Sequence, residues 1–229
     1  MSHEGISPQW LRYDTADAVA AATVACILDC AQRAIAERGV FRLVMAGGTT
    51  PKQAYQQLRD ADTDWSRWEI FFGDERCLPA DDPERNSVMA SETLLDHVPV
   101  PAENIFPIPA ELGAEAAARS YRKCIDTHRP FDLVLLGMGE DGHTASLFPG
   151  HVHDQNETVH AVHNAPKPPS DRVSLSAAAL GNSHELLILV TGAGKQDAVR
   201  QWQAGEHLPV AEINPALAKV LIDDDAWPE

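Results

Sequence analysis

Apolar positions in this chain follow two patterns that alternate along its length. Short apolar runs, FRLVMA (41–46), EIFFG (69–73), FDLVLL (131–136) and LLILV (186–190), are bounded by glycine, proline or charged residues and read as buried strands. AKVLID (218–223) adds a last strand. Between them lie segments with helical spacing. The longest covers 14–38, with small and apolar residues throughout and Gly39 as its stop. PKQAYQQL follows GGTT, placing Pro51 near the first helical position and Thr49 or Thr50 as N-cap. Further helices are expected near 86–95, over 114–128 and after TGAGK.

Strands alternating with helices predict an α/β fold, a Rossmann-like, mostly parallel sheet with helices on both faces. The Pro-rich stretch HNAPKPPSDR (163–172) is too short for a domain boundary, so residues 1–229 read as one domain. Ligands of such sheets bind at the carboxyl ends of the strands. The loops 47–50, 73–79, 137–149 and 191–195 are therefore where chemistry is expected.

Charge narrows the partners. With 18 Lys and Arg against 34 Asp and Glu, the net charge is −16, which leaves no basic stripe for nucleic acid. An anionic ligand would have to find its positive potential locally. The N-terminal MSHEGISPQW has neither a basic n-region nor an apolar h-region, and no unbroken apolar run approaches the roughly 18 residues of a membrane span. The four cysteines show no zinc spacing, and Cys26 and Cys30 fall four apart on the first helix as core residues. A soluble protein of a reducing, cytoplasmic setting is expected, monomeric or a small homo-oligomer, without nucleic-acid or membrane partners.

Two motifs mislead. GMGEDG in FDLVLLGMGEDGHTASLFPG has the G-x-G-x-x-G spacing of a dinucleotide site. Its Glu140 and Asp141 would face a pyrophosphate, and no helical period follows, so the glycines are assigned to a tight turn. TGAGKQ fails the phosphate-loop pattern, with Leu189 and Gln196 at two required positions. A post-strand turn with Lys195 remains, suited to one phosphate or to solvent.

The other motifs carry chemistry. In MAGGTTPKQAY, Gly47 and Gly48 allow close backbone approach, and Thr49 and Thr50 set hydroxyls and N–H groups at a helix start, a cradle for a phosphomonoester. GDERCLP places Asp74, Glu75 and Arg76 at the end of a buried strand, with Arg76 able to chelate an anion and Asp74 to orient water or a hydroxyl; an internal ion pair is the other reading. His143, on a glycine-flexed loop with Asp141 two residues before it, is set for general-base work. His151, His153, His160 and His163 match no metal site in spacing, and neither H-E-x-x-H nor G-x-S-x-G occurs.

GGTTP, GDER with DDPERNS, FDLVLLGMGEDGHTASLFPGH, PKPPSDRVSLS and LVTGAGK occur in the order and spacing of the 6-phosphogluconolactonases, which the chain resembles from about Val44 to the helix after GAGK. The resemblance implies a fold related to the sugar-phosphate isomerases and hydrolysis of 6-phospho-D-glucono-1,5-lactone, without metal or cofactor. It makes His143 the base that activates water, Asp141 the holder of its tautomer, and Asp74 a positioning carboxylate. It sets the phosphate among Gly48, Thr49, Thr50, Arg76 and Lys195, with Arg172 a further candidate. Thr49 stands where the family usually has Ser, and Ser87 where it often has Tyr. The alternative on the same scaffold is a glucosamine-6-phosphate deaminase. That family has DEY and a DGHIAFNEP-like segment, whereas DER and DGHTASLFP, with Leu147 and Phe148, stand here. A non-catalytic sugar-phosphate sensor would be expected to lose His143.

Overall fold

The computed structural model describes residues 7–229. In chain order the elements are β1 (Gln9–Tyr13), α1 (Ala16–Arg38), β2 (Phe41–Met45), α2 (Thr49–Leu58), β3 (Trp68–Phe72), β4 (Asp74–Arg76), α3 (Asn86–Thr93), β5 (Ile105–Phe106) and α4 (Ala114–His128). They continue with β6 (Phe131–Gly137), β7 (Val159–Val162), β8 (Arg172–Leu175), α5 (Ala177–Gly181), β9 (Ser183–Val190), α6 (Gln196–Gln203) and β10 (Ala218–Asp223), linked by short 3-10 turns.

Seven strands form one sheet in the order β1-β10-β9-β6-β2-β3-β5, and every neighbouring pair is parallel. β6 lies at its centre with Phe131 to Leu136 all buried, although successive residues point to opposite faces. Both faces of the sheet are therefore covered there. Each of these apolar side chains contributes about 1.5–3 kcal/mol by leaving water, which holds the central strands rigid under the loops they carry.

A second sheet, β4-β8-β7, is antiparallel and stands off the end of β3. The apolar pattern did not announce it: β4 is the charged triplet Asp-Glu-Arg, and β8 follows directly on the Pro-rich loop. The edge strands β1 and β5 were also unforeseen, being short and only partly buried.

Two buried tyrosines fix the strand ends beneath the expected site. Tyr55 of α2 donates its hydroxyl to the Ala46 carbonyl and accepts the Ala46 N–H, both at 2.9 Å. Tyr121 of α4 does the same at Phe72, accepting the N–H at 2.9 Å and donating to the carbonyl at 3.2 Å. Burial pushes both phenols above their ordinary pKa, so each remains a donor as well as an acceptor.

α1 begins at Thr15, whose hydroxyl accepts the Ala18 N–H at 3.2 Å, and ends at Gly39 with φ of 78°. It corrects one expectation. Taken as a helix rather than as an unbroken run, α1 is long and apolar enough to cross a membrane by length and composition alone. Its stripe of Val19, Ala20, Thr23, Ile27, Cys30, Ala31 and Ala34 is buried, and the helix packs on α2 and β10. Asp29 and Arg33 pair on its outer side.

Candidate active site at the strand ends

A cleft of about 450 Å³ opens where β2, β3, β6 and β9 end, and all four expected loops line it. The loop after β6 is a compact turn. The Gly139 N–H donates to the His143 carbonyl at 2.8 Å, the Gly142 N–H to the Gly139 carbonyl at 3.1 Å, and the Thr144 hydroxyl to the Gly137 carbonyl at 2.8 Å. Gly142 has φ of 77°, the left-handed conformation expected of this turn. Gly139 serves closeness instead: a Cβ there would lie 1.9 Å from His143 Nδ1 and 2.6 Å from Asp141 Oδ1.

The Asp141 carboxylate receives both the ring and the backbone of His143, Nδ1 at 2.5 Å and N–H at 3.2 Å. A carboxylate only accepts, so Nδ1 carries the proton and Nε2 keeps its lone pair. Burial raises the Asp141 pKa, but the hydrogen bonds and charge of His143 outweigh it, leaving the carboxyl below its ordinary value. Phe148 packs against the imidazole with ring centroids 4.8 Å apart.

Asp74 is buried and held at both oxygens. Oδ1 accepts from Asn86 Nδ2 at 3.0 Å and Oδ2 from the Ser146 hydroxyl at 2.6 Å. Asn86 fits only because position 47 is glycine, since a Cβ there would meet Asn86 Oδ1 at 2.1 Å. The neighbouring Glu75 takes the internal-pair role: fully buried, it accepts the N–H groups of Arg76, Asn86 and Ser87 at 2.9, 2.7 and 2.9 Å and faces Arg85 at 3.5 Å. It thereby caps α3 from outside the helix.

Positive groups line the same cleft. α2 starts at Thr49, and its N-cap is Gly48, with φ of 108°, not a threonine as its sequence suggested. No side chain caps this terminus, since glycine has none to offer, and the Thr50 hydroxyl pairs with that of Thr191 at 2.6 Å. Lys195 ends a 3-10 turn between β9 and α6. Burial lowers its pKa, Glu140 raises it, and the charge of Lys167 lowers it further. Arg76 gives Nη1 to the Glu84 carbonyl at 2.5 Å, and its buried Nε has no partner. Arg172 also lines the cleft, and its Nε and Nη2 donate to the carbonyls of Lys167, Pro168 and Pro169.

Sequence reasoning passed over Asn86, Ser146, Lys167 and Thr191. Asn86 and Lys167 stand inside DDPERNS and PKPPSDR, which marked the segments without showing which side chains turn inward. Among the described residues, no group of three or more His, Cys, Asp or Glu side chains is placed to hold a metal ion. His153 and His160 stack on one another at 4.5 Å, while His163 pairs with Asp171.

A parallel α/β sheet whose strand-end cleft is lined by Arg76, Lys167, Arg172 and Lys195 together with the His143 of a His–Asp pair fits the sugar-phosphate class of scaffold. The chain belongs to the family described as glucosamine-6-phosphate isomerases/6-phosphogluconolactonase, whose sequence profile matches residues 14–222. It is 37% identical over 212 residues to the 6-phosphogluconolactonase of Mycobacterium leprae, covering 86% of this chain and 85% of that one. It is 36% identical over 206 residues to the probable 6-phosphogluconolactonase 3, chloroplastic, of Oryza sativa subsp. indica, covering 79% of this chain but only 63% of the rice protein. The solved 6-phosphogluconolactonase of Trypanosoma brucei superposes with a TM-score of 0.85 at 28% identity, covering 97% of this chain and 98% of that one. A monomeric glucosamine-6-phosphate deaminase superposes at a TM-score of 0.84 and 21% identity over 95% of this chain and 98% of that one, a likeness of fold.

Proposed function

We propose that this protein hydrolyses 6-phospho-D-glucono-1,5-lactone to 6-phospho-D-gluconate, the second step of the oxidative pentose phosphate pathway. The observation that carries this reading is the His143–Asp141 pair in one cleft with Lys195, Arg76 and the uncapped start of α2. Nε2 of His143 takes a proton from water as the oxygen attacks the lactone carbonyl. The C–O bond to the ring oxygen then breaks, and the imidazolium returns its proton to that oxygen. The acid formed ionises in water. Asp141 fixes the tautomer and stabilises the imidazolium, as a carboxylate hydrogen-bonded to a catalytic histidine does. Asp74, pinned by Asn86 and Ser146, presents its remaining lone pairs to the sugar or the water. The phosphate rests against Gly47, Gly48, Thr49 and Thr50, with Arg76 and Lys195 on it.

The deaminase reading has less support. Where that chemistry needs a carboxylate after the histidine, Leu147 and Phe148 are buried apolar side chains. The chain acts as one domain on this reading. All four cysteines are free thiols, which suits a reducing cytoplasmic setting. The test is hydrolysis of freshly generated lactone above its spontaneous rate, run beside glucosamine 6-phosphate deamination. Deamination without lactone hydrolysis would reverse the assignment.

A further inference from the structure

Arg172 is almost fully buried, and its Nε and Nη2 are committed to one target. Nε reaches the Pro169 carbonyl at 3.2 Å, and Nη2 reaches those of Lys167 and Pro168 at 3.1 and 3.0 Å. Three consecutive carbonyls thus converge on a single guanidinium. The same loop is closed by the Ala165 N–H on the Ser170 carbonyl at 2.9 Å and by His163 on Asp171 at 2.9 Å. Its side chain in the cleft is Lys167, which is itself exposed and shares the cleft with Lys195. The charge of Lys167 is felt at Lys195, so the two ammonium groups repel each other until an anion comes between them.

We propose that Lys167 is the cation this segment contributes to the phosphate of the substrate, and that Arg172 is a positioning residue which holds Lys167 there by clamping the loop carbonyls. Arg172 does a second job on its other side. Its guanidinium lies over the Phe148 ring, 5.6 Å from the centroid, and Phe148 packs on His143. One buried arginine therefore ties the loop of the phosphate end to the ring that backs the base. The proposal rests on a phosphorylated lactone as substrate, and its test reads the clamp separately from that assignment.

The experiment compares the wild type with Lys167→Ala, Arg172→Ala, Arg172→Lys and the Lys167→Ala/Arg172→Ala double variant. Lys167→Ala is expected to raise KM for the phosphorylated lactone about tenfold or more, as loss of one charged hydrogen bond to phosphate does. Its kcat/KM for unphosphorylated glucono-1,5-lactone should change far less. Arg172→Ala should raise KM similarly and also lower kcat through Phe148. The double variant should have a KM no higher than Arg172→Ala alone. Arg172→Lys, which keeps the charge but not the fork, should behave like Arg172→Ala.

Hydrogen exchange of residues 163–171, measured without substrate, should rise in both Arg172 variants and stay at the wild-type level in Lys167→Ala. Multiplying KM effects in the double variant, or full rescue by Arg172→Lys, would put Arg172 directly on the phosphate and overturn the proposal. So would unchanged exchange in Arg172→Ala. If Arg172→Ala does not fold, Arg172→Lys and Lys167→Ala give the same comparison. A wild type inactive on the lactone would remove the substrate assignment while the exchange data still judged the clamp.

Discussion

Arg76 and Arg172 face each other across the antiparallel pair β4–β8, one residue directly opposite the other. Like charges so placed destabilise a sheet unless each has an outlet. Arg172 has its outlet in the loop carbonyls, whereas Arg76 has one bond to Glu84 and a buried Nε with none. Both arginines line the cleft.

Arg76→Ala and Lys195→Ala should each raise KM for the phosphorylated lactone about tenfold to a hundredfold, with smaller losses in kcat. Steady-state kinetics on fresh lactone measures this. KM values within twofold of the wild type would locate the phosphate elsewhere.

His143→Ala should keep its fold and lose about two to four orders of magnitude in kcat. Asp141→Asn should also be impaired, because an amide N–H beside Nδ1 favours the tautomer with its proton on Nε2. Circular dichroism beside the rate assay separates folding from chemistry, and near-normal turnover in His143→Ala would remove it as the base.

Gly139→Ala tests the close approach. Backbone strain does not forbid alanine there, so the protein should fold, but the new methyl occupies the place of the imidazole. A fall in kcat of about a hundredfold is expected, of the size that a small misplacement of a reacting group produces. Unaltered kcat would mean that the imidazole works from a different position.

Glu75→Ala should destabilise the protein by about 3 kcal/mol or more, since it leaves Arg85, itself buried, without one of its two carboxylate partners and uncaps α3. Urea denaturation reads the change. A loss below about 1 kcal/mol would contradict the capping role.

Acid should loosen the 148–163 segment. His153 and His160 both sit below the ordinary histidine pKa, chiefly through burial, and for His153 also through the charges of His160 and His151. Glu157 opposes this at both rings, Asp154 opposes it at His160, and the charge of Arg122 adds to it there. The unfolded chain then binds protons more readily than the native one. Stability is unaffected well above pH about 6.5 and falls as the pH drops from there toward the depressed values. Thermal melts of His160→Gln should show a weaker acid dependence than the wild type; an identical slope would exclude the pair as its source.

The central strands were legible because FDLVLL and LLILV are long enough and apolar enough to be nothing else. The four loops followed from the rule that ligands sit at strand ends. His143, Asp141 and Lys195 lie within a few residues of those ends, so locating the strand located the side chain. The small antiparallel sheet was not legible: β4 is three charged residues whose burial comes from tertiary hydrogen bonds that no local pattern encodes. Arg172 shows the same limit: its sequence context marked it for an anion, but that its Nε and Nη2 hold three loop carbonyls depends on how the proline loop folds back. Tyr55 and Tyr121 read as ordinary core aromatics, and only the structure shows their hydroxyls closing the ends of strands.

The cationic cleft sits in a chain of net charge −16. In the proposed reaction, opening the lactone turns an uncharged ester into a carboxylate, so the product carries one more negative charge than the substrate. The groups proposed to hold the phosphate are the same before and after, whereas the net negative charge of the chain repels the product more strongly. The surface that seemed an obstacle to capture thus weakens the hold on product relative to substrate and eases its release.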